Sequence, residues 1–205
     1  MNSENTELQP STEPRQDPPL KDEILAFLWE TVKIVAISLA IIIPIRYFLL
    51  QPFFVKGASM ETTFLDGDYI FANELAYEVG NPARGDVIVF RYPLDTTQFF
   101  IKRIIGLPGE TVEIKDNQVI IYNQQHPEGF VLDEPYLDPG QQTLGNIRMK
   151  LDDNEYFVMG DNRLRSSDSR SWGPVNRSLI TGRVFIRLLP LSRIAEIPRF
   201  NYPTQ

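Results

Sequence analysis

One apolar run near the N-terminus constrains this 205-residue chain more than any other feature. Residues 34–50 carry a single charge, Arg46, among side chains that are otherwise almost all apolar. The stretch from Thr31 to Leu50 has about the length that a helix needs to cross a bilayer. We therefore predict one transmembrane anchor over residues 24–51.

This apolar run has two other interpretations, a buried core helix and a cleavable signal peptide. A buried core helix would usually be shorter and carry polar residues on one face. A cleavable signal peptide needs a basic start and a small-residue cleavage site, whereas here an acidic segment precedes the run and Gln51-Pro52-Phe53-Phe54 follows it. The length of the run and its flanking residues therefore favour an anchor that stays attached. Lys and Arg occur on both sides of it, so the distribution of positive charge does not indicate its orientation.

The rest of the chain divides by composition. Residues 1–23 are polar, acidic and rich in proline, which predicts a disordered tail. Residues 52–197 contain short apolar runs separated by turn signals, which predicts a mainly β, antiparallel domain without further helices. Within it, residues 112–155 are expected to be a variable inserted subregion, and residues 198–205 a C-terminal tail. The predicted strands cover 69–72, 86–90, 99–105, 111–114, 118–122, 156–159 and 183–189. Lys115-Asp116-Asn117 predicts a hairpin turn between the strands at 111–114 and 118–122.

Composition excludes several functions. The net charge of −7 argues against nucleic acid as a partner, because phosphate binding requires a basic surface. The absence of cysteine excludes disulfides and thiol nucleophiles. The only histidine, His126, lies in a polar stretch typical of an exposed loop, so a multi-histidine zinc site is excluded. We predict no metal and no cofactor, and a general base that is a carboxylate, a lysine or a tyrosine.

Two short clusters contain candidates for a nucleophile and its base. Ser59 lies among small residues that would expose its hydroxyl, although such a serine is also typical of a turn. Lys102 shares a predicted strand face with Phe100 and Ile104, and burial there would lower the pKa of its amine. The alternative is a solvent-facing lysine on an edge strand. The neighbouring Arg103 cannot deprotonate and is excluded as a base.

A third cluster runs from Gly160-Asp161-Asn162-Arg163 to Ser169-Arg170. Its Gly, Asp and Asn residues favour turns, and its side chains could form a hydrogen-bonded platform. The spacing of its acidic residues does not match an EF-hand, so calcium is not expected.

In order and spacing, these clusters resemble the type I signal peptidases from the anchor to Gly173. The resemblance also includes Arg84–Phe90 and Ile101–Gly109. It implies an antiparallel β-sheet or barrel domain behind one transmembrane helix.

The resemblance assigns roles to individual residues. Ser59 would be the nucleophile and Lys102 the general base, with Ser166 orienting the lysine. The backbone N–H of Ser59 would stabilise the oxyanion, with Gly57 as a candidate second donor. Asp161, Asp168 and Arg170 would be structural residues near the site, the last two as an ion pair. The substrate pocket would be lined by Phe53, Val55, Met60, Phe64, Ile70, Val89, Phe100 and Ile101.

Three positions differ from family patterns: Gly57 stands where some members have a serine, Thr62 where a proline is usual and Phe64 where a leucine is usual. The implied substrates are signal peptides of exported preproteins, cut after small residues. The implied enzyme is a monomer in the plasma membrane, with its catalytic domain on the extracytoplasmic side. A thylakoid membrane is the alternative.

Two rival functions were considered. The self-cleaving repressors also use serine and lysine, but they carry a DNA-binding domain and no membrane span. An anchored β-domain that only binds exported chains would need none of Ser59, Lys102 and Ser166.

Overall fold

The computed structural model describes residues 20–44, 51–197, 200 and 202, and it divides into two compact units near residue 43. The first unit contains the helix α1 (Leu20–Pro44), whose side chains are exposed over Glu23–Ile43. This segment has a mean hydropathy of 2.0 and is long enough to cross a membrane. The helix begins inside the predicted tail, while residues 1–19 and 45–50, with Arg46, lie outside the described residues.

The second unit is mainly antiparallel β-structure, as the sequence predicted. Its strands are β1 (Gln51–Phe54), β2 (Tyr69–Asn73), β3 (Val87–Tyr92), β4 (Asp95–Gly106), β5 (Thr111–Lys115), β6 (Gln118–Tyr122), β7 (Phe130–Val131), β8 (Ile147–Lys150), β9 (Glu155–Met159), β10 (Val175–Asn176), β11 (Ile180–Leu189) and β12 (Ala195–Glu196). The main sheet has the order β1-β2-β11-β3-β4-β9-β10, and β12 pairs with β11. Strand β4 therefore lies inside the sheet, between β3 and β9.

A smaller sheet with the order β7-β6-β5-β8 occupies most of the predicted insert. Its β5–β6 hairpin turns at Asp116 and Asn117, which have φ angles of 51° and 62°. Two positive φ angles in a two-residue turn match the twist of paired strands, and Asp and Asn tolerate them. The predicted hairpin is thus confirmed.

The core beneath the start of the main sheet is apolar and closely packed. Its buried members are Val55, Met60, Phe64, Ile70, Ala72, Val87, Val89, Val184 and Ile197. Phe53 and Ile101 are half-buried and pack against this cluster. Alternation along β2 explains the arrangement, since Ile70 and Ala72 face the core while Tyr69 and Phe71 face outwards.

Two features differ from the predictions. The unit contains two four-residue helices, α2 (Ala76–Val79) and α3 (Ser169–Trp172), which are too short to show a helical period. The predicted C-terminal tail packs on the domain at its two described residues. Tyr202 lies with its hydroxyl 3.2 Å from that of Tyr136, and the Phe200 ring packs edge-on against Tyr136.

Candidate active site

Ser59 lies in a turn that follows β1. The turn is shaped by Gly57, whose φ of +86° suits glycine and whose N–H donates to Asp66 Oδ1 at 2.7 Å. The carbonyl of Ser59 accepts a hydrogen bond from the N–H of Asn162 at 3.0 Å. Among the hydrogen bonds of the described residues, none uses the N–H of Ser59 as a donor. This N–H is therefore available to a substrate.

Lys102 lies on the interior strand β4, and only 4% of the residue is exposed. Its Nζ donates to Ser59 Oγ and to the carbonyl of Ile101, both at 2.8 Å. The solvent-facing alternative from the sequence is therefore wrong, because almost none of Lys102 is exposed. The structure thus places a buried amine against the hydroxyl of Ser59.

Burial lowers the pKa of Lys102 from 10.5 to about 8, because the charged ammonium loses its hydration. The carboxylates of Asp168 and Asp161 oppose this change by stabilising the charge. With a pKa near 8, about a tenth of the amine is neutral at pH 7. A neutral amine at hydrogen-bond distance from a hydroxyl can accept its proton.

Arg103, which the sequence only excluded as a base, is the centre of a buried polar network behind Lys102. Its Nε and Nη2 donate to the two carboxylate oxygens of Asp161 at 2.8 and 2.6 Å. Its third group, Nη1, donates to the carbonyl of Gly85 at 2.9 Å, and the ring of Tyr136 lies 4.0 Å from its Cζ. Thr63 Oγ1 donates to the same carboxylate at 2.5 Å. This network joins β4 to the turn after β9.

The predicted ion pair between Asp168 and Arg170 is present. Both carboxylate oxygens accept from the guanidinium at 2.8 Å. The carboxylate also accepts from the backbone N–H of Gly160 at 3.1 Å and of Arg170 at 3.3 Å, which caps α3. Asp168 therefore fixes the shape of the segment that returns towards Ser59.

Gly160 and Ser166 pack directly against the backbone of Ser59. A Cβ atom at Gly160 would lie 2.3 Å from the Ser59 carbonyl oxygen and 2.3 Å from Ser166 Oγ, so no larger residue fits without displacement. Ser166 Oγ is buried and makes no hydrogen bond to any described residue. The expected hydrogen bond between Lys102 and Ser166 is thus not formed in this structure, in which the amine donates to Ser59 and Ile101.

A groove of about 460 Å³ opens beside Ser59 and Lys102. Five of the eight predicted pocket residues line it: Phe53, Ile70, Val89, Phe100 and Ile101. The structure places the other three, Val55, Met60 and Phe64, in the buried core cluster and not among the residues that line the groove. They support the wall of the groove without forming its surface.

Seven further residues line the groove and were not predicted: Phe54, Lys56, Ala58, Gln98, Phe99, Arg165 and Ser167. Most lie next to a predicted residue in the chain, on β1, on β4 or beside Ser166. Their chain positions could have suggested them, because a cleft between two strands is lined from both. The lone His126 is elsewhere, packed on the Phe130 ring in the loop between β6 and β7.

The family described as signal peptidase, peptidase S26, matches residues 28–189. The chain belongs to this family. Its members are serine endopeptidases, and the chain is one of them. It is 35% identical over 184 residues to a probable signal peptidase I-1 of Synechocystis sp., covering 86% of this chain and 90% of that one. It is 32% identical over 205 residues to a signal peptidase I of Leptolyngbya laminosa, covering 96% and 97%.

Relatives in this peptidase family also occur in Bacillus. The signal peptidase I of Bacillus amyloliquefaciens is 37% identical over 153 residues, covering 70% of this chain and 75% of that one. A crystal structure of a signal peptidase I from Enterococcus faecalis V583 is 32% identical, with a TM-score of 0.43, and covers 51% of this chain and 97% of that one.

The departures from the peptidase family pattern lie around Ser59. The N–H of Gly57 donates a hydrogen bond to Asp66, and a Cβ atom at this position would have no neighbour within 4 Å. Thr62 is exposed, and Phe64 is completely buried. Among the described residues, no group of three or more His, Cys, Asp or Glu is arranged to hold a metal ion.

Proposed function

We propose that the chain is a membrane-anchored signal peptidase that removes N-terminal signal peptides from exported preproteins, with Ser59 as nucleophile and Lys102 as general base. The 2.8 Å contact between Lys102 Nζ and Ser59 Oγ carries this proposal. Part of the amine is uncharged near neutral pH and can act as a base, because burial lowers the pKa of Lys102 to about 8.

In the first step, the neutral amine of Lys102 accepts the hydroxyl proton while Ser59 Oγ bonds to the substrate carbonyl carbon. The carbonyl oxygen becomes an oxyanion, and the free N–H of Ser59 donates to it. Gly57 is dropped from this role, since its N–H already donates to Asp66. The Lys102 ammonium then protonates the departing amine, which leaves an acyl-enzyme at Ser59.

In the second step, Lys102 is neutral again and accepts a proton from a water molecule that attacks the ester. Collapse of this intermediate returns the proton to Ser59 Oγ and releases the signal peptide with a new carboxylate. Ser166 is proposed to orient the amine during these transfers. Its hydroxyl is buried without a hydrogen bond to any described residue, and it lies, like the Ser59 carbonyl oxygen, 2.3 Å from the position of a Cβ atom on Gly160.

The substrate is proposed to bind as an extended segment in the groove. Strand β1 lies at the edge of the main sheet, and residues 99–102 of β4 pair only with β3. Both strands therefore offer backbone groups to an added strand, and main-chain hydrogen bonds would supply affinity. The apolar side chains of Ile70, Val89 and Ile101 leave room for small substrate residues such as alanine.

Helix α1 is proposed to anchor the enzyme in the membrane in a single pass. Its side chains are exposed and mostly apolar over Glu23–Ile43, and a bilayer would cover them. We place the catalytic unit of a monomer on the extracytoplasmic side of the plasma membrane, where translocated preproteins appear. A thylakoid membrane is the alternative for a chain with cyanobacterial relatives.

The proposal is tested with purified protein in detergent and a preprotein, by sequencing the new N-terminus of the product. Wild type should cut once, after a small residue, and Ser59→Ala and Lys102→Ala should each lose at least about 10³-fold in rate while staying folded. Lys115→Ala, in the exposed β5–β6 hairpin, is the matched control. Preprotein that is bound but left intact by wild type would favour the noncatalytic binder.

A further inference from the structure

The groove beside Ser59 carries positive charge in a chain whose net charge is −7. Three cationic side chains line it, Lys56, Lys102 and Arg165, and none of its lining residues is acidic. Lys102 is assigned to the chemistry and works as a neutral amine. The other two cations have no part in the proposed reaction.

Lys56 and Arg165 are free to meet a charged ligand. Lys56 is exposed and takes part in no ion pair among the described residues. The Arg165 side chain is 69% exposed, and its nearest carboxylate, Glu61, lies at 3.7 Å, which makes a loose surface pair. The other nearby carboxylate, Asp66, accepts the N–H of Gly57 and does not line the groove.

The geometry of an extended peptide decides which substrate residues meet these cations. Side chains alternate between the two faces of an extended chain. When the residue before the scissile bond lies on the apolar wall, its two neighbours point away from that wall, towards the solvent-exposed rim. Lys56 and Arg165 are the charged, exposed residues of the groove lining.

We infer that Lys56 and Arg165 are specificity-determining residues that select substrates with an aspartate or glutamate next to the residue before the scissile bond, on either side of it. This inference rests on the proposed function and adds a charge preference to it. Exposed ion pairs are weak, so each cation should contribute about a two- to fivefold preference in kcat/KM, and both together roughly tenfold. Salt should reduce the preference, because exposed charges are screened.

The test compares peptides that share one cleavage site and differ at these two neighbouring positions: glutamine at both, aspartate before, aspartate after, or lysine at either. The measured quantity is the ratio of kcat/KM for each charged peptide to that for the glutamine peptide. Wild type should give a ratio above one for an aspartate peptide and below one for its lysine counterpart. The double variant Lys56→Gln/Arg165→Gln should bring both ratios close to one.

Two further variants sharpen the comparison. Lys115→Gln removes an exposed charge in the β5–β6 hairpin, outside the groove lining, and should keep the wild-type ratio. Lys56→Glu should reverse the preference and favour a lysine peptide. A wild-type ratio of one, or a ratio unchanged in the double variant, would overturn the charge preference while cleavage of the glutamine peptide still supports the proposed function. Failure to cut any peptide would contradict both.

Discussion

The guanidinium of Arg103, the residue that follows the proposed base, donates two hydrogen bonds of 2.8 and 2.6 Å to the carboxylate of Asp161. Both side chains are almost fully buried, and Arg103 follows Lys102 in the chain. The pair therefore ties strand β4 to the segment that packs on Ser59. It fixes the two halves of the site relative to each other.

Replacing Asp161 by Asn should destabilise the protein by about 3–5 kcal/mol, because it leaves the charge of Arg103 buried without an opposite charge beside it. The free energy of unfolding is measured by urea titration. Arg165→Gln, which removes only the loose exposed pair with Glu61, should change it by less than about 1 kcal/mol. Equal effects of the two substitutions would show that the Arg103–Asp161 pair does not stabilise the fold.

The pH dependence of kcat/KM should report the titration of Lys102. Since burial lowers the pKa of Lys102 to about 8, the rate should rise about tenfold per pH unit below pH 8 and level off above it. His126→Ala should leave the profile unchanged. A midpoint near 6.5 that this variant abolishes would identify a histidine as the base instead.

The same buried amine should make stability depend on pH. The pKa of Lys102 is about 8 in the folded chain and 10.5 in the unfolded one, so between these values the unfolded chain binds one more proton. Stability should therefore rise with pH across this window, by roughly 3 kcal/mol in total. The comparison uses Ser59→Ala with and without Lys102→Met, which has no such group. Parallel stability curves for the two variants from pH 8 to 10.5 would contradict the lowered pKa.

Replacing Ser166 by Ala should reduce kcat by about 10- to 100-fold without loss of stability. The hydroxyl is buried and makes no hydrogen bond, so its removal breaks none, and a methyl-sized side chain keeps the packing. If Ser166 orients the amine, the midpoint of the pH–rate profile should also move, and Ser166→Thr should recover part of the activity. Full activity in Ser166→Ala would mean that the residue only fills space.

Gly160→Ala should abolish cleavage. The added Cβ would lie 2.3 Å from the Ser59 carbonyl oxygen and must push Ser59 or Ser166 away. Displacements of about 1 Å at a catalytic group can cost 10²-fold in rate. The cleavage rate should therefore fall by a larger fraction than the free energy of unfolding. Gly80→Ala is the control, since its Cβ would meet its nearest neighbour at 3.3 Å. A fully active Gly160→Ala would show that this contact can relax.

Strands and the hairpin could be predicted from the sequence because local chemistry determines them. A short apolar run after a turn signal predicted β2, and Lys115-Asp116-Asn117 predicted the turn between β5 and β6. The short helix α3 depends on a cap by Asp168, which gives no periodic signal. The apolar helix was predicted from length and composition, although it begins earlier, at Leu20.

The candidate site was predicted in its polar members more accurately than in its apolar ones. The resemblance identified Ser59 and Lys102, and the structure brings them together. The resemblance could not distinguish Ile70, which lines the groove, from Phe64, which lies in the core. Both residues are apolar and buried. Only the three-dimensional position of a side chain shows whether it lines the groove or lies in the core. The role of Arg103 required its partner, which lies 58 residues further along the chain.

Ser59 is bonded to two distant parts of the chain: its hydroxyl to Lys102, and its carbonyl to the N–H of Asn162. The second contact spans 103 positions, so the nucleophile takes its place only after most of the chain has been made. A ribosome-bound chain that ends before Gly160 has the serine but lacks the segment that holds it. We expect such an incomplete chain to lack peptidase activity.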